Sequence, residues 1–223
     1  MSVVIITGSC GLVGSEAAIF FKQKGFKVVG IDNNFRKKFF GSDGSTAWIK
    51  KKLINKISDY THYNVDIRNK NALRKIFKKY NKNIKLVIHS AAQPSHDFAK
   101  NNKEIDLEIN ALGTLNMLNL SEKFCKYASF IHMSTNKVYG DNPNKLKLKE
   151  EKFRWEINDK KYLNGIEENF SLDNCTHSFF GVSKLYSDLI AQEYGKYNKL
   201  KTGIFRAGCI TGPNHSGAKL HGF

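Results

Sequence analysis

Short apolar runs alternate with longer segments in which apolar residues recur at helical spacing. Six runs have the length and the apolar, β-branched content of buried strands, over residues 3–6, 27–31, 62–65, 85–89, 129–133 and 201–206. The segments between them predict helices over residues 15–24, 48–57, 70–80, 106–126 and 180–197. Strands that alternate with helices in this way predict an α/β fold with a doubly wound parallel sheet, whose ligands bind at the carboxyl ends of the strands.

A turn with glycine at every third position follows the first predicted strand directly. Gly8 can take the positive φ of a tight turn, Gly11 has no Cβ to obstruct a pyrophosphate, and Gly14 lets the next helix pack close to the strand. The free N–H groups at the start of that helix then face the phosphates. The second strand ends at Asp32, whose carboxylate accepts hydrogen bonds from an adenosine ribose and repels a 2′-phosphate. The sequence therefore predicts that the chain binds NAD rather than NADP.

Other polar or small residues stand at the ends of later strands. Asp66 follows the third strand, where a carboxylate can meet the adenine amino group, and Ala91 and Ala92 follow the fourth, where small residues let the backbone approach a cofactor. The segment 141–179 has mixed charges and aromatic residues with little periodicity. Because loops of this length in compact domains are commonly functional or mobile, we expect it to be a substrate-side loop.

Composition and charge narrow the function classes. The formal net charge of +16 would suit a nucleic-acid partner, but nearly all of the positive charge is lysine, and arginine is scarce. We therefore predict no specific nucleic-acid binding. No apolar stretch has the length of a membrane span, and no signal peptide precedes the first strand, so the sequence predicts no membrane partner and a cytoplasmic location.

Cysteine and histidine positions give no metal-binding pattern. The cysteines are far apart without paired spacing, at Cys10, Cys125, Cys175 and Cys209. Such spacing favours reduced thiols over a zinc site or a disulfide framework. His89 and His132 fall inside predicted strands, where a core histidine with satisfied hydrogen bonds is expected rather than a metal ligand. The sequence predicts no metal site.

Six elements, in their order and spacing, resemble the extended short-chain dehydrogenase/reductase family along the whole chain. They are the glycine turn, Asp32, Asp66, the Ala91-Ala92 pair, the Ser-Thr-x-x-Val-Tyr-Gly run at 134–140 and the Ser-Lys pair at 183–184. Within the family, the run at 134–141 is most similar to that of the CDP-tyvelose (CDP-paratose 2-) epimerases. Sugar-nucleotide 4,6-dehydratases have an acidic pair where this chain has Asn136 and Lys137, so the groups for their acid chemistry are missing here.

The resemblance implies an NAD⁺ that stays bound, removes a hydride from a carbon of a nucleotide sugar and returns it to the opposite face, with no net redox change. It implies that Thr135 bonds the reacting sugar hydroxyl and that Lys184 holds the nicotinamide ribose. The implied cofactor residues are Gly8, Gly11, Leu12, Val13, Gly14, Asp32, Asn33, Asp66, Ile67, Ala91, Ala92, Gln93, Asn110 and Lys184. Of these, Leu12 and Val13 offer backbone to the pyrophosphate, Asp32 and Asn33 hold the adenosine ribose, and Asp66 and Ile67 flank adenine.

One catalytic position departs from the family pattern. The family's base is a tyrosine four residues before the lysine, one helical turn away, and that position is Phe180 here. Phenylalanine cannot carry a proton. Three alternatives follow: His96, Lys137 or Tyr139 takes the proton, the chain marks a sub-branch with its own chemistry, or it binds NAD and a nucleotide sugar without turnover. The leading interpretation is a CDP-sugar 2-epimerase. The alternative interpretations are a UDP-sugar 4-epimerase and a non-catalytic NAD-binding module.

Two further expectations come from the resemblance. Family members continue beyond the sixth strand into a small domain that closes over the sugar nucleotide, and this sequence ends at 220–223 where a helix or loop begins. We therefore expect residues 1–223 to be the NAD-binding domain of a chain truncated before most of its substrate domain. Family members commonly dimerise through two long helices, which correspond here to residues 106–126 and 180–197, so a homodimer is expected.

Overall fold

A computed structural model describes residues 1–218 of the chain. Its strands are β1 (Val3–Thr7), β2 (Lys27–Ile31), β3 (Thr61–Tyr63), β4 (Ile84–His89), β5 (Ser129–Thr135), β6 (Leu148–Glu150), β7 (Trp155–Ile157) and β8 (Lys201–Ala207). Six of them form one parallel sheet in the order β3-β2-β1-β4-β5-β8, while β6 and β7 pair as a separate antiparallel hairpin. The strand order reverses between β1 and β4, as in dinucleotide-binding doubly wound sheets. The predicted fold class is confirmed.

Helices cover both faces of the sheet. They are α1 (Leu12–Gln23), α2 (Arg36–Phe40), α3 (Ala47–Lys56), α4 (Lys70–Tyr80), α5 (His96–Asn101), α6 (Lys103–Leu107), α7 (Gly113–Cys125) and α8 (Ser178–Lys196). A π-helical turn, Glu108–Leu112, joins α6 to α7. Such turns are frequent at functional sites because they change the direction of the side chains they carry.

The core lies in two layers because side chains alternate across each strand. In β1, Val3 and Ile5 pack with the helices α4, α7 and α8 on one face, and Val4 and Ile6 pack with α1 and α3 on the other. All four side chains are almost completely buried. This arrangement explains why β1 is a continuous apolar run instead of an alternating one: a parallel strand with helices on both faces has no side toward water.

The structure differs from the sequence expectations at several boundaries. The predicted helix over 106–126 begins at Lys103 and contains the π turn, and α1 begins at Leu12, directly after the glycine turn. The third strand ends at Tyr63 instead of residue 65, because the Val65 amide turns back to donate to the Tyr63 carbonyl at 3.0 Å. The helices α2 and α5 were not predicted, since five or six residues are too few to give a helical period.

The segment 141–179 contains more structure than its sequence indicates. It holds the β6–β7 hairpin, and its end is attached to the turn after β5. There the Asn142 amide donates to the Ser171 and Asp173 carbonyls at 3.1 and 3.0 Å, and the Cys175 thiol lies 3.6 Å from the Tyr139 carbonyl. Its role as a substrate-side loop stays a prediction, as does the division of the chain into domains.

The segment after β8 returns over the carboxyl end of the sheet to the first helices. The Trp48 indole donates to the Ser216 hydroxyl at 2.9 Å, and the Asn214 amide donates to the Glu16 carboxylate at 2.5 Å. On the way, Ile210 joins the wall of a cleft described below. The expected helix or loop start at 220–223 lies outside the described residues.

The two histidines of the predicted strands lie in the core. His89 is buried, with one ring nitrogen 2.7 Å from the Thr7 hydroxyl and the other 2.9 Å from the Thr114 hydroxyl. His132 is also buried, with Nε2 3.1 Å from the Ser187 hydroxyl, but its buried Nδ1 has no hydrogen-bond partner among the described residues, so the expectation of satisfied hydrogen bonds is met by His89 and only half met by His132. The four cysteines are free thiols. Over residues 1–218 no three His, Cys, Asp or Glu side chains converge as a metal site would require, and no helix has the length and apolar character to cross a bilayer.

Candidate active site

The glycine turn between β1 and α1 forms the centre of the site. Gly8 has φ +66°, its N–H donates to the Ile31 carbonyl at 2.8 Å, and a Cβ there would lie 2.8 Å from the Ala91 nitrogen. A Cβ on Gly14 would overlap the Gly8 carbonyl oxygen. Both positions therefore need glycine for the turn to close and for α1 to approach the strand.

The amino-terminal end of α1 faces the same space with its backbone donors. Within residues 1–218, no side chain caps this helix and its first turn has no acidic residue. Its first N–H groups and the positive end of its dipole are therefore directed at whatever binds above the turn. An anion such as a pyrophosphate satisfies both features.

A cleft opens above the turn, along the carboxyl ends of the central strands. Most of the predicted cofactor residues line it: Gly8, Gly11, Leu12, Val13, Gly14, Asp32, Asn33, Asp66, Ile67, Ala91 and Ala92. The chain brings these residues together from four separate segments, because the carboxyl ends of adjacent parallel strands share one edge of the sheet. The structure does not bring Gln93, Asn110, Lys184 or Thr135 to the wall of this cleft.

Asp32 is held in place by the backbone. Its two carboxylate oxygens accept hydrogen bonds from the Cys10 N–H at 3.0 Å and the Asn34 N–H at 2.8 Å. Burial raises the pKa of Asp32, and the two backbone donors partly oppose that effect. Each carboxylate oxygen has a further lone pair, so the group can accept hydroxyl hydrogen bonds from a ribose in the cleft.

Asp66 is instead committed to a neighbouring cation. The Arg68 guanidinium binds it through two nitrogens at 2.8 and 3.0 Å, and the Asn33 amide donates to it at 3.1 Å. Burial alone would raise the pKa of Asp66, but these hydrogen bonds outweigh it and hold the pKa below its usual range. Asp66 is therefore a fixed anion in the cleft wall.

At the far end of the cleft, β5 meets α8. Met133 and Ser134 of β5 line the cleft, and the Lys184 ammonium donates to the Met133 carbonyl at 2.7 Å from the α8 side. Burial lowers the pKa of Lys184 to about 8, against the opposing charges of Asp188 and Asp106. Thr135 ends the strand, where its hydroxyl accepts from the Lys137 N–H at 3.2 Å.

Phe180 lies one turn before Lys184 on α8 and is 7% exposed. The ring of His96, at the start of α5, lies against it with ring centroids 4.7 Å apart. Tyr139, another candidate proton acceptor, is 7% exposed, and its hydroxyl accepts from Arg206 Nη1 at 3.1 Å and lies 3.5 Å from the Glu167 carbonyl. The third candidate, Lys137, is exposed.

Gln93 and Asn110 are buried away from the cleft. The Gln93 side chain is bonded to Ser95 and Asp106, and the Asn110 amide donates to the Gln93 carbonyl at 3.1 Å and to the Ser183 hydroxyl at 3.0 Å. They connect three segments: the loop after β4, the π turn and α8. Neither residue lines the cleft, and their direct contact with the cofactor stays a prediction.

Sequence reasoning missed several residues of the cleft. They are Ile31, Phe35, Arg36, Phe39, Thr46, Val65, Pro94, Ile109, Met133, Ser134 and Ile210. Phe35, Arg36 and Phe39 come three to seven residues after Asp32. Their position shortly after the end of a strand is a signal from which a place in the cleft could have been predicted. Ile210 has no such signal, because it reaches the cleft only through the long-range contacts of its segment.

Comparison with known proteins decides the family. The model of the NAD dependent epimerase/dehydratase family matches residues 4–222, almost the whole chain. The chain belongs to this family. The predicted membership is thereby confirmed, and so, at the level of the family, is NAD as the cofactor.

Individual relatives differ in activity. The chain is 32% identical over 209 residues to a CDP-paratose 2-epimerase from Salmonella typhi, covering 94% of this chain and 57% of that protein. It is 27% identical over 227 residues to a dTDP-D-glucose 4,6-dehydratase from Dictyostelium discoideum, covering 97% of this chain and 46% of that one. This family member therefore spans about half the length of these relatives.

A solved structure with the same fold is the UDP-glucuronic acid 4-epimerase from Bacillus cereus in complex with NAD. The two superpose with a TM-score of 0.71 at 24% identity, over 95% of this chain and 57% of the other. At this identity the likeness establishes the fold of the family member and not its substrate.

Proposed function

We propose that the protein is an NAD-dependent nucleotide-sugar epimerase, most similar in activity to CDP-paratose 2-epimerase, in which a sugar carbon is transiently oxidised and then reduced from the opposite face. The observation that carries the proposal is the cleft in which the glycine turn, Asp32 and the end of β5 meet. NAD bound there would supply a hydride acceptor and donor at its nicotinamide ring. Everything else in the reaction must come from the chain and its substrate.

The adenosine half fits the residues that follow the carboxyl ends of β1, β2 and β3. The close approach of Gly8, Gly14 and Ala91 leaves room above the turn for a diphosphate against the α1 N–H groups. Asp32, oriented by two backbone donors, would accept the ribose hydroxyls beside Asn33. Asp66 and Ile67 would flank adenine, with the carboxylate already fixed by Arg68.

The nicotinamide half fits the junction of β5 and α8. Lys184 would hold the nicotinamide ribose from its position beside the Met133 carbonyl, and Thr135 would bond the reacting sugar hydroxyl at the strand end. Ala91 and Ala92 would offer only backbone and methyl groups on the opposite wall. Both alanines are half-buried, so the ring would sit in a space that excludes much of the water.

An epimerase is favoured over a dehydratase because Asn136 and Lys137 follow Thr135. Loss of water from a sugar needs an acid to protonate the leaving hydroxyl, and neither side chain is a carboxylic acid. A non-catalytic NAD-binding module is the second candidate, since the buried Phe180 removes the family's base. A UDP-sugar 4-epimerase would use the same cleft and differs only in the nucleotide and the carbon it inverts.

A homodimer through α8 and the helix formed by α6, the π turn and α7 is also proposed. Apolar side chains on both remain 42–53% exposed, at Leu107, Leu112, Phe179, Val182 and Leu189. Burying such a patch is favourable, and adjacent exposed apolar residues commonly mark an interface.

Isotope labelling tests the proposed activity. We would incubate the complete gene product with CDP-, UDP- and dTDP-hexoses that carry deuterium on the candidate carbon. An epimerase returns the same hydride, so we expect an isomer of unchanged mass that keeps its deuterium. A product that has lost water would identify a dehydratase instead, and tight NAD binding without turnover of any sugar would support the binding module.

A further inference from the structure

Phe180 leaves the proposed reaction without the family's proton acceptor, and the His96 ring lies against it. We infer that His96 supplies the missing base, with Nε2 taking the proton of the sugar hydroxyl that is oxidised. The inference rests on the proposed epimerase function and names the residue that makes it chemically complete. It also assigns a role to Phe180, whose ring is the apolar surface against which the His96 imidazole packs.

A hydrogen-bond contact engages one ring nitrogen of His96 and leaves the other available. His96 Nδ1 lies 3.1 Å from the Ser178 hydroxyl at the start of α8. That hydroxyl already accepts the Gly181 N–H at 3.2 Å and has a second lone pair for an Nδ1–H donor. In this tautomer the lone pair of the imidazole is on Nε2, and the residue is exposed, so Nε2 can reach a bound hydroxyl.

The loop that carries His96 is held rigidly. Gln93 Oε1 accepts from the Ser95 N–H at 2.5 Å, and its amide donates to the Ser95 carbonyl at 2.8 Å and to Asp106 at 2.6 Å. The Ser95 hydroxyl in turn caps α5 by accepting the Phe98 N–H at 3.2 Å. Gln93 therefore holds both the N–H and the carbonyl of Ser95, the residue before His96. We infer that Gln93 is a positioning residue for His96.

A buried amide couples this loop to α8. The Gln93 N–H donates to Asn110 Oδ1 at 2.8 Å, and Asn110 Nδ2 donates to the Ser183 hydroxyl at 3.0 Å. Ser183 is adjacent to Lys184 and three residues after Phe180. His96 and the lysine implied in nicotinamide binding are therefore held in one hydrogen-bonded frame, which a catalytic pair requires.

The charges around the imidazole favour its neutral form. Partial desolvation of the imidazole lowers the pKa of His96, and the ammonium of Lys137 lowers it further, while Asp97 and Asp106 act in the opposite direction. The net effect lowers the pKa below its ordinary value. A neutral imidazole at neutral pH is the form that accepts a proton.

The two other candidates are less suited to the role. The Tyr139 hydroxyl is bonded to Arg206 in a buried position on another cavity. Lys137 is exposed, and within the described part of the chain no hydrogen bond orients its ammonium. Neither contacts Phe180 in the way that the His96 ring does.

The step balances without another reactant. The hydroxyl O–H bond breaks and its proton goes to His96 Nε2, while the O–H bonding pair forms the second bond of the new carbonyl. The C–H hydrogen leaves with its electron pair as hydride to the nicotinamide of NAD⁺. After the keto sugar presents its other face, hydride returns to carbon and the imidazolium gives its proton back to oxygen, so the enzyme and cofactor are regenerated.

Replacement of His96 tests the inference. In the complete gene product, acting on the nucleotide sugar that the wild type turns over, we expect His96→Gln to lower kcat about 10²–10⁴-fold. The amount of bound NAD should not change. Phe180→Tyr in the His96→Gln background should recover part of the loss, because it places a phenol four residues before Lys184. Tyr139→Phe is the matched control and should keep most of the activity.

The pH profile gives a readout that a structural role would not move. If His96 is the base, kcat/KM falls as pH drops through its pKa. Lys137→Gln removes a charge that lowers this pKa, so its acid limb should move to higher pH than that of the wild type. Wild-type turnover that persists in His96→Gln, or an acid limb that Lys137→Gln leaves in place, overturns the inference. Absence of turnover in the wild type overturns the proposed function and with it the base.

Discussion

Arg206→Met should lower the free energy of unfolding by about 3–5 kcal/mol, because it leaves a buried carboxylate without its partner. The Asp188 side chain is 0% exposed and that of Arg206 is 10% exposed, with bonds from Nη2 and Nε at 2.9 and 3.0 Å. Ser134 and Gln192 also donate to Asp188, at 2.6 and 2.8 Å, but neither carries a charge. Urea unfolding at neutral pH measures the difference.

An exposed ion pair provides the control for this prediction. Lys22 and Asp59 form a contact of 2.7 Å with side chains 32% and 45% exposed, so Lys22→Met should cost less than about 1 kcal/mol. Asp188→Asn combined with Arg206→Met should recover part of the loss, since no buried charge remains. Equal effects of Lys22→Met and Arg206→Met would contradict the account.

The Arg206→Met effect should also depend on pH. Burial alone would raise the pKa of Asp188, but hydrogen bonds from Arg206, Ser134 and Gln192 outweigh it and lower the pKa. Stability from this depressed pKa is present above the ordinary carboxyl value and is lost as pH falls through the folded-state pKa. The difference in the free energy of unfolding between the wild type and Arg206→Met should therefore become smaller at acid pH.

Lys184→Met should become more stable relative to the wild type as pH falls from about 10.5 to about 8. The pKa of Lys184 is lowered from 10.5 to about 8 by burial, so within this window the unfolded lysine binds a proton that the folded one does not. Wild-type stability falls through the window by about 3 kcal/mol relative to the variant and is constant below it. Unfolding curves across this pH range measure the difference.

Loss of a lysine that is not buried serves as the comparison. Lys137→Met removes an exposed ammonium from the turn after β5. If the two variants show the same pH dependence, the burial of Lys184 has no energetic consequence. In the proposed reaction, Lys184→Met should also lose turnover while it remains folded, which separates the role of the ammonium in catalysis from its cost to stability.

Features that depend on local sequence could be predicted, and they include about half of the residues that line the cleft. Apolar runs gave the six sheet strands, and because parallel strands end on one edge, residues such as Asp32 and Ala91 converge without any knowledge of distant contacts. Gly8 and Gly14 were predictable because their steric roles follow from the turn itself. The β6–β7 hairpin was not, since its three-residue strands are largely exposed and leave little apolar pattern.

Features that depend on long-range contacts could not be predicted. Gln93 follows a strand end and Asn110 lies near the start of a helix, and an amide at either position could as well bind a cofactor as another residue. In the structure the two residues bond each other, although they lie 17 residues apart in the chain. The contact between His96 and Phe180 joins two helices that lie far apart in the sequence. It allows the structure to rank three proton acceptors that the sequence left equal.

The most direct test of the central claim is to identify what the cleft binds. We would denature the purified protein, identify the released small molecules by mass spectrometry and titrate the emptied, refolded protein with NAD and NADP. We expect release or tight binding of NAD and weaker binding of NADP. Gly14→Ala should lose this binding because its methyl group overlaps the Gly8 carbonyl, whereas Gly203→Ala, with nothing within 4 Å of the added Cβ, should keep it. A wild-type protein that neither releases nor binds a dinucleotide would contradict the account.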